Sequence, residues 1–250
     1  MDSPFVSVVM PNYNGRRFVD KAIDSVLNQT YKHFEFIIVD DCSTDGSLSF
    51  LKEKSRIDKR ICVFEQEHNG GVANARNVGI KAAKGDYIAL IDNDDIWEPD
   101  KIERQLLIAE KGADIVYCSL DFIDENGRHI KKPFIVPETA DYHSMLGSCV
   151  LTCSTVFIRA DLLKAHPFAS DYYHEDYVLW MDLLKLPVKV KGDKKILMHN
   201  RQVSGSRSNR KGNAAKERWH VYRKALKMNL ADSSVAFVRY AVNGVLKYYF

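Results

Sequence analysis

The sequence predicts an α/β protein, a parallel-rich central sheet flanked by helices and followed by amphipathic C-terminal helices. Three observations carry this expectation. In the first half, short runs rich in Val, Ile and Phe alternate with stretches whose apolar residues recur every three or four positions. That alternation is the mark of strand–helix units joined by right-handed crossovers. Several of the runs stop in polar or acidic residues, and open α/β sheets bind ligands at such strand ends. The end of the chain carries two apolar stripes at helical spacing.

Each element follows from its own residues. Phe5–Met10 is a first strand, closed by the turn-rich Pro11-Asn12-Tyr13-Asn14-Gly15. Phe18, Ala22, Ile23, Val26 and Leu27 mark a helix. Phe34–Val39 is a second strand ending in Asp40-Asp41, and Ser43-Thr44-Asp45-Gly46-Ser47 offers caps to a helix from Ser47 to Ser55. Ile61–Phe64 makes a third strand, and Asn69-Gly70-Gly71 opens a helix from Val72 to Ala83. Tyr87–Ile91 is apolar throughout, as a strand buried on both faces requires. Beyond a helix near Pro99–Lys111 the pattern loosens. Ile115–Cys118 and Ser154–Ile158 read as strands, Asp124–Gly127 as a hairpin-like turn, and Asp161–Ala165 and Tyr177–Lys185 as helices. In the tail, Ala215, Trp219, Tyr222, Leu226 and Leu230 form one stripe. Val235, Val238, Val242, Val245 and Tyr249 form the other, opposite Arg239, Asn243 and Lys247. Part of this tail is expected to pack on the body and part to meet a membrane.

With 250 residues and 46% hydrophobic content, the chain can bury one sizeable core. No apolar run is long enough to span a bilayer, and Met1-Asp2-Ser3-Pro4 lacks the features of a signal peptide. The expectation is a cytoplasmic protein, peripheral on the inner face of the cell membrane. Cys42, Cys62, Cys118, Cys149 and Cys153 contain no CxxC pair and read as reduced thiols. The net charge of +3 hides an asymmetry. Residues 1–184 carry 20 Lys+Arg against 30 Asp+Glu, whereas residues 185–250 carry 16 against 3. A basic tail on an acidic body suits an anionic partner, either nucleic acid or the cytoplasmic leaflet.

The chemistry concentrates at strand ends. Asp92-Asn93-Asp94-Asp95 sets three carboxylates within four positions. Carboxylates this close repel one another unless a cation or donors neutralise them, and their hard oxygens suit Mg²⁺ or Mn²⁺. The same residues would equally serve as an acidic turn capping a helix that starts at Trp97-Glu98-Pro99-Asp100. Tyr13 can stack on a base and Asp41 can accept a base N–H such as the uracil imide; singly, each also reads as a loop aromatic or a helix cap. Asn69-Gly70-Gly71 is not GxGxxG, which disfavours a hydride-transfer Rossmann enzyme.

Four segments fall in order: Val6–Gly15, Phe36–Ser47, Asn69–Gly79 and Leu90–Trp97, joined later by His174-Glu175-Asp176-Tyr177-Val178-Leu179-Trp180. Together they resemble the inverting glycosyltransferases of family two, with the GT-A fold, and in particular small bacterial polysaccharide-type members. The resemblance implies a metal-dependent hexosyltransferase that uses Mn²⁺ or Mg²⁺. It also implies that Pro11, Tyr13 and Asp41 hold the nucleoside while Asn69 and Arg76 contact base or diphosphate. Asp94 would bind the metal, Asp92 would reach metal or ribose, and Asp95 would be left to cap the following helix. Asp176 would be the base, with Glu175 second; on local grounds the pair could simply cap its helix.

In the segment Met198–Ser208, His199 or Arg201 could approach the diphosphate, and the loop could close over a bound donor. The implied partners are a nucleotide-sugar donor, most naturally a UDP-sugar, and a saccharide or lipid-pyrophosphate-linked acceptor, with peripheral contact to anionic membrane and no nucleic acid. The expected organisation is a catalytic domain over 1–212, divided into a nucleotide-binding half (1–112) and an acceptor-binding half (113–212), and a basic helical tail over 213–250. The rivals are a nucleotidyltransferase, poorly served by Asn12-Tyr13-Asn14-Gly15-Arg16-Arg17, and a non-catalytic binder of anionic lipid or nucleic acid.

Overall fold

A computed structural model describes residues 3–203 and 211–249, with side chains described over 3–203 and 215–243. Residues 204–208 of the expected closing segment lie outside the described residues, as do the side chains of Val245, Lys247 and Tyr249.

Four parallel strands form one half of the sheet: β1 (Val6–Asn12), β2 (Phe34–Asp40), β3 (Ile61–Glu65) and β4 (Tyr87–Leu90). They lie in the order β3-β2-β1-β4, so the chain reverses its direction of winding between β1 and β4. Between them run α1 (Val19–Leu27), α2 (Ser47–Ile57) and α3 (Gly71–Ala82). The period-two alternation of the strands divides their side chains between two cores. Val9, Ile37, Val39 and Leu90 pack with Ala73, Ala75 and Ile80 of α3 on one face. Val8, Met10, Phe36 and Ile38 pack with Ile23 and Val26 of α1 and Leu51 of α2 on the other. Both faces are covered, which explains why these strands read as unbroken apolar runs.

The second half extends the sheet with mixed polarity. After β5 (Ile96–Trp97) and α4 (Lys101–Ala109) come β6 (Ile115–Ile123) and β7 (His129–Phe134), then α5 (Tyr142–Gly147), β8 (Phe157–Arg159) and α6 (Ala160–Ala165). These are followed by α7 (Glu175–Leu183) and β9 (Val190–Arg201). The sheet continues from β4 through antiparallel β8 to β6, β9 and β5, with β7 paired to β6. β6 and β9 are parallel, so β9 ends at the same edge as β1, β2 and β4. The turn at Lys111–Ala113 falls where the two halves were expected to meet, and the sheet runs through it without a break.

Several elements differ from expectation. Ser154 is not in a strand, because Cys153–Thr155 forms a 3-10 turn closed by reciprocal Thr152–Thr155 contacts. There Ser154 O accepts from Trp97 Nε1 at 2.9 Å and Thr155 O accepts from Gln105 Nε2 at 2.8 Å, which removes both carbonyls from strand pairing. β5, β7, α5 and β9 were not expected at all. The five free thiols match the reading of reduced cysteines.

In the tail, α8 (Lys211–His220) runs into a π turn at Val221–Ala225, and α9 (Leu230–Tyr249) follows. Lys227, at φ 52°, reverses the chain between them. The first stripe packs inward at Tyr222 and Leu226. The second does not. Ser233 and Ala236 form the inner side of α9, and Asn243 Nδ2 donates to Gly147 O of α5 at 3.1 Å. Val235, Val238 and Val242 face outward, each more than half exposed.

Candidate active site

The carboxyl ends of β1, β2, β4 and β9, with the start of α7, surround a cleft of about 550 Å³. Pro11, Tyr13, Asp41, Asn69, Arg76, Asp92, Asp94, Glu175, Asp176 and Arg201 all line it. It lies at the winding reversal between β1 and β4, where open α/β sheets place ligands.

Asn12, at the end of β1, is the hub of this edge. Its Nδ2 donates to Asp40 Oδ1 at 2.7 Å and to the Ser43 and Ser47 hydroxyls, while its Oδ1 accepts from Asn93 Nδ2 at 2.8 Å. This fixes the loops after β1, β2 and β4 against one another. Tyr13 follows directly and projects into solvent, 54% exposed. Asp41 is buried, and its carboxylate accepts from Gly70 N at 2.7 Å, Gly71 N at 2.8 Å and Gln66 Nε2 at 2.6 Å. It thereby caps the first turn of α3, where backbone N–H groups lack helical partners. Asn69 Nδ2 donates to Asp41 O at 3.2 Å.

The three acids after β4 have separate surroundings. Asp92 accepts from Arg76 Nη2 at 2.7 Å, and its N–H donates to Ser154 Oγ at 3.0 Å. Asp94 faces the cleft, and among the described residues no cationic side chain pairs with it. Burial and the neighbouring Asp92 charge push its carboxyl up to about 6. Asp95 is fully buried and does not cap α4, whose N-cap residue is Asp100. Its Oδ1 instead accepts from Asn200 Nδ2 at 3.0 Å and Arg201 N at 3.1 Å, tying β4 to the end of β9. Burial, then Asp94 and Asp92, hold its carboxyl well above the usual range.

On the opposite wall, α7 presents Glu175 and Asp176 from its first turn. Glu175 is buried and accepts from Arg76 Nη1 at 2.9 Å. Arg76 thus divides its guanidinium between Asp92 and Glu175, a strut across the cleft's inner end. Asp176 is less enclosed; its Oδ1 accepts from its neighbour's Tyr177 N at 2.7 Å.

Of the two alternatives on β9, Arg201 lines the cleft. Its Nε donates to Asp94 O at 2.9 Å, and its Nη2 is buried without an acceptor among the described residues. His199 does not line the cleft; its Nε2 meets Glu98 Oε1 at 2.7 Å. Asn12, Asn93 and Asn200 are lining residues that the sequence reading did not single out. Asn93 sits inside the acidic cluster, whereas Asn200 carried no local signal at all.

A divalent cation fits this edge. Asp94 offers hard oxygens in a partly buried position, with no cationic side chain paired to it among the described residues and a second carboxylate beside it, the donor set favoured by Mg²⁺ or Mn²⁺.

The chain is similar to several known proteins. TuaG of Bacillus subtilis, named for teichuronic acid biosynthesis, is 36% identical over 98% of this chain and 97% of its own length. WfgD of Escherichia coli, a UDP-Glc:alpha-D-GlcNAc-diphosphoundecaprenol beta-1,3-glucosyltransferase, is 36% identical over 74% of this chain and 72% of its length. WfaP of Escherichia coli, described in the same words, is 30% identical over 98% and 96%. Among solved structures, S. aureus TarS 1–349 with UDP-GlcNAc superposes with a TM-score of 0.76 at 22% identity, covering 94% of this chain and 71% of that one. The fold is therefore GT-A. The Glycosyl transferase family 2 pattern matches residues 7–166, spanning every strand that builds the cleft except β9. With that match and these relatives, the chain belongs to glycosyltransferase family 2.

Proposed function

We propose that the chain moves a hexose from a UDP-sugar to a saccharide carried on a lipid pyrophosphate, with inversion at the anomeric carbon. The observation that carries this reading is the pairing of Asp94 and Asp176 across one cleft, with Glu175 withdrawn into its ion pair with Arg76. WfgD and WfaP, named for UDP-Glc and a diphosphoundecaprenol-linked acceptor, support the choice of donor and acceptor.

An inverting transfer is one in-line displacement, so it needs a base on the acceptor hydroxyl and stabilisation of the leaving diphosphate. Asp176 takes the acceptor proton. It is the carboxylate of its pair that is not locked to an arginine. Asp94 and Asp92 would hold Mn²⁺ or Mg²⁺, which would offset the charge of the leaving diphosphate. Arg201 directs Nη2 to the same charge. Tyr13 stacks on the base beside Pro11. Asp41 keeps one acceptor direction for the base imide beyond the three donors it already holds, and Asn69 steadies it. Arg76 fixes Asp92 and the start of α7 at the diphosphate end. In this reading residues 1–112 bind the nucleotide and 113–212 the acceptor.

The outward valine stripe of α9 supports a peripheral position at an anionic membrane. It exposes Val235, Val238 and Val242 on a segment where basic residues outnumber acidic ones. No helix among the described residues is long and apolar enough to cross a membrane.

Asp176→Asn tests the mechanism. Transfer is expected to fall by about 10²- to 10⁴-fold with donor affinity unchanged. Transfer at the wild-type rate would remove Asp176 from the role of base.

A further inference from the structure

Away from the donor cleft, three strands bring together Asp121 of β6, His129 of β7 and His199 of β9, one ligand atom from each lying within 4.8 Å of the others. Register explains the convergence. Asp121 pairs directly with His199, and a register shift between Phe122 and Ile123 precedes the pairing of Ile123 with His129, which lets the His129 ring reach the same carboxylate. Each side chain is held in place. Asp121 Oδ1 accepts from Phe122 N at 2.7 Å, which leaves Oδ2 to face both histidines. His129 Nδ1 contacts that oxygen directly, and His199 Nδ1 stands 3.7 Å from it.

Glu98 decides what His199 offers. A carboxylate only accepts, so the 2.7 Å contact at Nε2 puts the ring proton there. The Nδ1 lone pair is then buried, without a hydrogen-bond partner among the described residues, and turned toward a carboxylate. Two acceptors facing each other call for a cation between them. A histidine whose far nitrogen donates to a carboxylate is the usual second-layer arrangement of a metal site.

We propose that Asp121, His129 and His199 bind one Zn²⁺, separate from the diphosphate-binding cation, with water as fourth ligand. Two imidazoles and one carboxylate favour zinc over Mg²⁺ or Mn²⁺. Ligand distances of about 2.0–2.2 Å place tetrahedral ligand atoms roughly 3.3–3.6 Å apart. His199 Nδ1 and Asp121 Oδ2 already stand 3.7 Å apart, and the exposed His129 has to draw back from its direct contact with Asp121 to admit the ion. His129 is 70% exposed, which gives the ion an entry path and the water its place. The ion would pin the solvent-facing β7 to β6 and β9 two residues before Arg201.

The test uses the full chain, stripped with chelator and titrated with Zn²⁺ against a chromophoric competitor. One Zn²⁺ per chain is expected in the wild type and equally in Asp94→Asn. His129→Ala should weaken it by at least about tenfold, and Glu98→Gln by about tenfold. His129→Arg keeps a cation against Asp121 but cannot ligate, so it should lose zinc as His129→Ala does; the two are independent variants at an exposed position. Co²⁺ should give visible bands without thiolate charge transfer in the wild type and none in either His129 variant. Equal zinc affinity in wild type and both His129 variants, or cobalt–thiolate bands, would overturn the site.

Discussion

Lys101 is fully buried, its ammonium held by Gln105 Oε1 at 2.6 Å and lying 3.9 Å from the centre of the Trp97 ring. Burial pushes its pKa down to about 8. The unfolded chain keeps this proton to about 10.4, so between those values the unfolded state binds more protons and stability rises with pH. Across that window the wild type should gain on the order of 3 kcal/mol relative to Lys101→Met, read as converging or crossing denaturation midpoints measured from pH 8 to 10. A constant difference would mean that Lys101 titrates normally. Nothing local in the sequence marks this lysine as interior, because its partners are a turn of helix and an indole. Asp95 is the same lesson among the site residues. Its nearness in sequence to α4 suggested a cap, whereas its carboxylate answers to Asn200 and Arg201, more than a hundred positions away. Tyr13, Asp41, Asp92, Asp94 and Asp176 meet in one cleft. The first four stood out because they follow strands that the hydrophobic pattern marks, and Asp176 because its segment resembles one of the family's.

Among the elements, α3 lies close on β1 because Gly79 has no side chain. A Cβ there would sit 2.5 Å from Val9 Cγ1 and 3.3 Å from Val39 Cγ2. Gly79→Ala should therefore cost about 1–3 kcal/mol, measured by urea denaturation. An unchanged midpoint would show that α3 can retreat freely. The main strands of the first half were readable since both sheet faces are covered there and their runs are largely apolar, broken only by residues such as Ser7 of β1 and Glu35 of β2, which bond each other. β9 was not. Its first part is lysine-rich and largely exposed, and register shifts near Cys118–Leu120 break the alternation against β6. β7 has an exposed or half-exposed residue at every position, so no apolar face announced it. β5 is two residues long and exists only through its pairing with β9.

For the molecule as a whole, the tail inverts the ordinary logic of an amphipathic helix, turning Asn243 toward the body and the valines outward. Val238→Glu should lower co-sedimentation with anionic vesicles several-fold, since it charges the centre of the exposed stripe. Transfer to a water-soluble acceptor should stay unchanged. Full vesicle binding by this variant would leave the stripe without a membrane role. From sequence, the stripe's period was visible but its direction was not, because direction depends on α5, which lies far back in the chain.

The Arg76 strut also bears on synthesis. Glu175 follows Arg76 by 99 positions. At roughly 5–20 residues per second, a nascent chain carries the guanidinium for about 5–20 s before that partner emerges. A ribosome-stalled chain ending after α4 should therefore fail to cleave a sugar nucleotide, as a radiolabelled-donor assay on stalled complexes would register. Hydrolysis by such a complex would contradict this order. On that order, donor turnover waits on translation of the second half of the chain, where Glu175 lies, and unfinished polypeptides are kept from consuming activated sugar.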